Sequence, residues 1–541
     1  MVDRRTFLKG SGALALAGLG AGALGEWLTR GSPVPDRAHG ATKSRVTSGL
    51  PTAEWLIEEN KRPGTLRWVV SGPASPYPAP IEGYVDKVSV AHGESLTLHV
   101  STIASRWHAE VYRMGYYQGR GARLIHVTPL LAGERQPMPG PNSATLTIEC
   151  GWRPSRTLDV DEGWPPGYYL IRLLGDRRYS AYVPFLVRDD ASTAAFVVQS
   201  SVTTWQAYNL WGGYSLYGGA PINGRSEYDS RSRVVSFDRP YHNPDGHGSG
   251  DFLGNEFPFV YLAERLGLDV TYWTDVDLHA RPELLDAHRC LVSLGHDEYW
   301  SAPMRFGVQN AITRGLNVAF LGANACYRQI RFEDSPNGAD RRVVCYKDAA
   351  EDPITPHNPT LATAISWAEG PDPRPESELV GVMYQSYNGS GPLVVADPTS
   401  FVFEGTGLRK GDTIPNVIGS EFDGFEPRLR GPKNLTILGH SPTNSVSGPS
   451  ASDMTYYASP QQGGVFACGT GRWVPSMWSG ARPLRNRLGF AVVPAMTPLT
   501  AITTNVLRAF AAGPAGDSHP SVANWREYYS GKEAVRLGVD V

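Results

Sequence analysis

Between about residues 65 and 188 apolar and polar residues alternate in twos, the period of strands with one buried face. In "VSVAHGESLTLHVST", Val88 and Val90 precede a His-Gly turn, and Leu96, Leu98 and Val100 then alternate with Ser95, Thr97 and His99, which predicts a hairpin. "ATLTIECGW", "GYYLIRLL" and "YSAYVPFLVR" read as further short strands separated by Gly/Pro turns, with Pro184 marking an edge or a bulge. After about residue 193 the rhythm changes. "AAFVVQ" is a continuous apolar run, "FPFVYLAERLG" sets Phe259, Leu262, Ala263 and Leu266 on one helical face with Gly267 as its stop, and "LDVTYW" returns to strand. "RCLVSLGHDEYWSAPMRFGVQNAITRGLNVAFLGANA" predicts strand, loop, a helix capped by Ser301 with Met304, Val308, Ala311 and Ile312 buried, a stop at Gly315, then strand.

The two rhythms predict an N-terminal immunoglobulin- or lectin-like β-sandwich over 65–188. An open, mainly parallel α/β domain resembling a glutamine-amidotransferase-like sheet follows over 193–512, and 513–541 forms a tail. In open sheets of this kind ligands bind outside the carboxyl ends of the strands. Three segments converge on that edge: "TWQAYNLWGGYSLYGG" after Gln199, "HDEYW" after Gly295 and "ANACY" after Gly322.

Composition narrows the function classes. With 541 residues, 41% hydrophobic and 19% charged, the chain can bury a sizeable core and divide into more than one domain. Fifty Lys+Arg against 53 Asp+Glu give a formal charge of -3, with no basic run beyond the first few residues, so no electrostatic footprint for nucleic acid exists. At the N-terminus "DRRTFLKG" sets Arg4 and Arg5 before Phe7 and Leu8, and "SGALALAGLGAGALG" has the length of a signal h-region and is too short to span a bilayer. Residues 1–45 thus resemble a twin-arginine export signal and linker, which predicts a periplasmic or extracellular protein without a stable membrane span after signal removal. The five cysteines show neither CxxC nor metal-ligand spacing. Cys326 with Cys345 is the most plausible disulfide, with idle buried thiols as the equal alternative.

The strand-end loops hold the candidate chemistry. His296 and Glu298 offer an imidazole and a carboxylate for general acid–base work or for a hard metal, or else Asp297 and Glu298 merely favour the helix that follows. Aromatic residues in a glycine-rich loop, such as Tyr208 and Tyr217, are by themselves more often packing or sugar-stacking residues than ligands. Nucleophilic catalysis lacks a Gly-x-Ser-x-Gly elbow or a cysteine at the strand turn, and phosphate binding lacks a Gly-rich loop ending in Lys-Ser/Thr.

The motifs "TTWQAYNLWGGYSLYGG", "VSFDRPY", "GHDEYWS", "FLGANACYRQIRFE", "VCYK", "GTGLRKGD", "VIGSEFD" and "GGVFACGTGRW", in this order, resemble the large (β) subunit of N,N-dimethylformamidase and its relatives, and "VYRMGYYQGRGARLI" extends the resemblance toward the N-terminus. The resemblance implies an amidohydrolase that cleaves a small or substituted amide with water activated on one iron, ferric, held by Tyr208, Tyr217 and Glu298. Three anionic oxygens suit ferric iron. It further implies His296 as a proton shuttle, Asn324 as a group orienting substrate, and Trp205, Trp211, Tyr299 and Trp300 as the walls of the site. The family enzyme carries an insertion between its two tyrosines, where this chain has only eight residues, and works with a small partner subunit, so a partner subunit or a homo-oligomer is expected. The competing reading is a non-catalytic cell-surface carbohydrate-binding protein.

Overall fold

The βαβ units predicted after residue 193 set the frame of the fold. In the computed structural model, which describes residues 45–47, 49–70, 77–176, 179–220, 227–242, 247–446, 448–478 and 496–529, strands occupy Phe196–Ser200, Val270–Thr274, Cys290–Gly295 and Asn317–Gly322. Each is short and continuously apolar, as strands covered on both faces must be. They pair in parallel, with Phe196 opposite both Val270 and Cys290, and Cys290 opposite Asn317. Gly464–Ala467 joins Asn317–Gly322 in parallel, and Gly448–Ala458 and Thr436–Ser445 then extend the same seven-stranded sheet antiparallel.

The helix Phe257–Leu266 ends at Gly267, whose φ of 64° is the left-handed value that favours glycine. Ala302–Thr313 starts at Ser301, whose hydroxyl accepts from the Met304 amide, and buries Met304, Val308, Ala311 and Ile312. A further helix, Met496–Ala511, is not foreseen from the pattern; Leu499, Ile502, Val506 and Phe510 bury one of its faces.

Among the described residues, the strands between 81 and 188 form two sheets. One runs in the order Ser89–Ala91, Ser180–Arg188, Gly167–Gly175, Arg106–Met114, Ala122–Val127; the other joins Ile81–Val85, Ser95–Thr102 and Arg156–Asp159. Leu96, Leu98, Val111, Ile171, Val183 and Phe185, drawn from both sheets, share one core. Tyr112, Met114, Tyr168 and Leu170 turn the other way and pack with Phe196, Val198 and Tyr272.

Two predicted elements differ. Ser89–Ala91 and Ser95–Thr102 are not a hairpin: the first pairs in parallel with Ser180–Arg188 and the second belongs to the other sheet. The His92-Gly93 turn carries the chain between sheets, with the Gly93 amide donating to the Val160 carbonyl. "ATLTIECGW" joins no ladder. Its alternating Ile148, Cys150 and Trp152 pack instead with Tyr84, Trp211 and Tyr214. Pro184 pairs with Leu170 on one side, and the ladder on its other side reaches only Leu186, Val187 and Arg188, so its missing N–H faces no partner strand.

The Cys326–Cys345 disulfide is absent: all five cysteines are buried free thiols, and these two belong to different core clusters. The arginine pair and apolar run of residues 1–44 lie outside the described residues. Among those described, no helix is long and apolar enough to cross a membrane.

Candidate metal centre

Because Phe196–Ser200, Cys290–Gly295 and Asn317–Gly322 are parallel neighbours, their carboxyl ends open on the same edge of the sheet. From the first strand the chain turns at Ser200-Ser201 into the helix Val202–Tyr208, so Tyr208 is its last residue. Glu256 fastens the helix start. Its Oε2 accepts from Ser200 Oγ (2.8 Å), and its Oε1 accepts from the Ser201 amide (3.0 Å), Ser201 Oγ (2.8 Å) and Trp205 Nε1 (3.0 Å). Beyond Tyr208, Gly212 and Gly213 adopt φ of 82° and 80°, where a side chain is strained, and the chain doubles back to Tyr217.

The second strand ends at Gly295, opposite Gly322 in the third; a Cβ on Gly322 would lie 1.5 Å from the Gly295 carbonyl oxygen, so the two strand ends meet this closely only through glycine. Asp297 plugs into the interior, accepting from Ser293 Oγ (2.7 Å), Gln199 Nε2 (2.9 Å) and Trp300 Nε1 (2.8 Å). That anchor turns Glu298 outward toward the tyrosines, with its amide donating to Thr204 Oγ1 (3.0 Å). Asn324, at φ 58°, follows the third strand and donates its amide to Asp423 Oδ1 (2.8 Å) and Oδ2 (3.0 Å).

These turns bring three oxygen-bearing side chains together. Tyr208 Oη lies 2.8 Å from both Tyr217 Oη and Glu298 Oε2, while Tyr217 Oη lies 2.9 and 3.0 Å from Glu298 Oε1 and Oε2. The tyrosine rings stack with centroids 4.3 Å apart. Tyr299 Oη donates to Tyr217 Oη (2.8 Å), and Arg328 Nε reaches Glu298 Oε1 (3.2 Å). On the other side of Glu298, His296 Nε2 stands 3.3 Å from Glu298 Oε2, 3.1 Å from Glu421 Oε2 and 3.3 Å from Asn324 Nδ2, which itself donates to Glu421 Oε2 (2.9 Å).

The electrostatics follow from burial. Loss of solvent, reinforced by the Glu298 carboxylate, pushes the Tyr208 and Tyr217 hydroxyls well above their usual 10, so only a cation would ionise them at neutral pH. Burial alone would depress His296, but the Glu421 and Glu298 carboxylates outweigh it and raise the imidazole to about 10. Burial would likewise raise Glu421, and His296 overrides it to hold the carboxyl below its usual range. Among the described residues the buried Lys347 Nζ has no hydrogen-bond partner, and it stands 3.2 Å from the centroid of the Tyr217 ring. Desolvation and the nearby Arg328 push it well below the ordinary lysine range.

The residues fit a hard trivalent metal on two grounds. Ligands at right angles, each about 2 Å from an ion, stand about 2.8 Å apart, close to the spacing of the Tyr208, Tyr217 and Glu298 oxygens. The buried Lys347 Nζ against the Tyr217 ring is stabilised as an ammonium more by a phenolate than by a neutral phenol. Among the described residues no group of three His, Cys, Asp or Glu side chains is disposed to hold a metal.

The family described as N,N-dimethylformamidase beta subunit-like, C-terminal, matches residues 108–483, more than half of the chain. This protein belongs to that family. No curated protein matches it. Among solved structures, an uncharacterized protein from Bacillus anthracis str. Ames is similar over 20% of this chain and 84% of its own, with 10% identity and a TM-score of 0.13, a likeness that carries no argument.

Within this dimethylformamidase-like chain, Tyr208, Tyr217, Glu298, His296 and Asn324 lie together in one group, in which Glu421 Oε2 is the shared acceptor of His296 and Asn324. Of the aromatic residues expected to wall the site, Tyr299 reaches it. Trp205, Trp211 and Trp300 instead bury their indoles and donate to Glu256, Glu82 and Asp297 respectively, so they brace the loops from behind. Nothing in the residue pattern by itself marks Glu421, Arg328 and Lys347 as site residues. Their segments, "VIGSEFD", "YRQIRFE" and "VCYK", are among the family-like motifs, and that was the available signal.

Proposed function

We propose that this chain is an amide hydrolase of the dimethylformamidase kind, cleaving a small or substituted amide C–N bond at a mononuclear ferric iron held by Tyr208, Tyr217 and Glu298. The observation that carries the reading is the cluster of three oxygen donors, the buried Glu298 and the half-buried Tyr208 and Tyr217, mutually 2.8–3.0 Å apart, with the buried Lys347 Nζ against one of the rings. When bound, ferric iron would supply Lewis acidity toward the amide carbonyl and lower the pKa of an attacking water.

The protein's own groups do the rest. Glu421, kept ionised by His296, is the acceptor for the proton of that water. His296 holds its proton at neutral pH and delivers it to the leaving amine nitrogen. The Asn324 side chain, its backbone clamped by Asp423 and its amide nitrogen on Glu421, orients the carbonyl. Tyr299 and Arg328 hold the Tyr217 hydroxyl and the Glu298 carboxylate in register.

The same reading takes the arginine pair near the N-terminus as a twin-arginine signal and the strand-rich 65–188 stretch as an immunoglobulin- or lectin-like sandwich. It takes a small partner subunit or a second copy as the form in which the enzyme works. The test uses signal-free protein expressed with iron: metal content, a visible spectrum and amine release from a panel of N-substituted formamides and acetamides. About one iron per chain, a visible phenolate-to-iron band and amine release are expected. Colourless, metal-free protein that still binds polysaccharide, equally well in Tyr208→Phe and Tyr217→Phe, would favour the carbohydrate-binding reading.

A further inference from the structure

Arg239, in "VSFDRPY", makes no contact with the tyrosine hydroxyls, yet it is fully buried. Among the described residues no carboxylate pairs with it, whereas the buried Arg113 and Arg341 face Glu264 and Asp238 at 2.7 Å. A guanidinium buried without a counter-ion is costly, so a chain that keeps one gains something by it.

Its hydrogen bonds show where it acts. Nε donates to Gln206 Oε1 (2.9 Å), Nη1 to the carbonyls of Trp211 (2.9 Å) and Tyr214 (2.8 Å), and Nη2 to those of Asn209 (3.1 Å) and Gln206 (3.4 Å). Every acceptor belongs to residues 206–214, the stretch that leaves Tyr208 and returns toward Tyr217. No sheet ladder supports this excursion; it passes through a short turn with Gly212 and Gly213 in the left-handed region. Gln206 Oε1 is further braced by Asn209 Nδ2 (2.8 Å), which also donates to the Pro240 carbonyl (2.8 Å) beside Arg239. The planar fork of one arginine therefore gathers four carbonyls whose relative placement sets the distance between the two phenol rings. Lysine, a flexible stem ending in a point charge, cannot reproduce that fork.

We propose that Arg239 is a positioning residue of the metal centre: by templating the 206–214 excursion, it holds Tyr208 and Tyr217 at the spacing needed to ligate one ion together. The proposal rests on the iron reading above.

The experiment titrates iron into metal-free wild type, Arg239→Lys and Arg113→Lys, following the phenolate-to-iron band and bound iron, with thermal melts alongside. Arg113→Lys disturbs a buried arginine away from the loop; it is expected to lower Tm while leaving the iron affinity and the band per bound iron at wild-type values. Arg239→Lys is expected to melt cooperatively but to bind iron at least tenfold more weakly, with a shifted and weaker band per bound iron because one phenolate is lost. Should Arg239→Lys fail to fold, Gln206→Met leaves the four backbone carbonyls on the guanidinium, removes the oxygen that Arg239 Nε shares with Asn209 Nδ2, and is expected to shift the band in the same direction by less. A folded Arg239→Lys, or Gln206→Met, with wild-type affinity and an unchanged band overturns the inference and leaves the iron site standing. A wild type that takes up no iron overturns the iron site and the inference together.

Discussion

Replacing Glu256 by Gln tests the anchor of the helix that carries Tyr208. Glu256 is fully buried, with no cationic partner among the described residues; desolvation raises its carboxyl from the usual 4.5 to about 7, against the opposing pull of hydrogen bonds from Ser201 and Ser200. The folded state therefore holds this proton more tightly than the unfolded chain. The stabilisation is complete below pH about 4.5 and is lost as pH rises through about 7. At 1.36 kcal/mol per tenfold change in proton affinity, the rise from 4.5 to about 7 amounts to about 3 kcal/mol. Glutamine keeps the geometry: its oxygen can accept from the Ser201 amide, Ser201 Oγ and Trp205 Nε1, while its NH2 faces Ser200 Oγ, a hydroxyl free to turn and accept. Urea unfolding followed by tryptophan fluorescence between pH 5 and 8 should show Glu256→Gln near wild-type stability at pH 5 and about 2–3 kcal/mol more stable at pH 8. Other buried acids such as Asp423, raised by burial to about 7, titrate in the same range, but they act in both proteins and cancel in the difference. A variant-minus-wild-type difference that stays flat from pH 5 to 8, or that grows toward low pH, would refute the reasoning.

Tyr208→Phe and Tyr217→Phe each delete one donor oxygen and keep the stacked rings, so melting should move by less than about 1 kcal/mol while iron content and visible colour fall; elemental analysis of the purified variants checks this. Lys347→Met removes the buried Nζ: the metal-free protein should become more stable by about 1–3 kcal/mol, yet iron affinity should fall about 30-fold, because a desolvated cation–π contact to the ionised ring is worth about 2 kcal/mol. Calorimetry of metal-free protein and an iron titration read the two halves, and a destabilised variant of unchanged affinity contradicts both. Glu264→Gln leaves the fully buried Arg113 guanidinium without its counter-ion and should cost about 3–5 kcal/mol in urea unfolding, many times the effect of removing the exposed Glu58 beside Lys61.

What the residue order determined is what depends on near neighbours. Apolar runs of five or six residues, the Ser301 cap and the Gly267 stop were enough to place Phe196–Ser200, Cys290–Gly295, Asn317–Gly322 and the helices between them. Parallel strands in register then put Tyr208, Glu298 and Asn324 on one edge of one sheet. The motif order supplied the family, and with it the pairing of Tyr208 with Tyr217.

Tertiary structure decided which partner each pattern meets. The alternation in "VSVAHGESLTLHVST" names a buried face and not the strand alongside, so a hairpin and a crossover between two sheets read alike. Ile148 and Trp152 alternate like a strand but fill a seam against Trp211, 59 residues beyond Trp152. Lys347 reads as a surface lysine until folding buries its ammonium against a ring 130 positions earlier in the chain. Glu421 reads as a loop acid until His296 meets it. Backbone periodicity is set by steric rules acting over a few residues, whereas charge, desolvation and hydrogen bonding act over a few ångströms of space, and only the folded chain brings such groups that close.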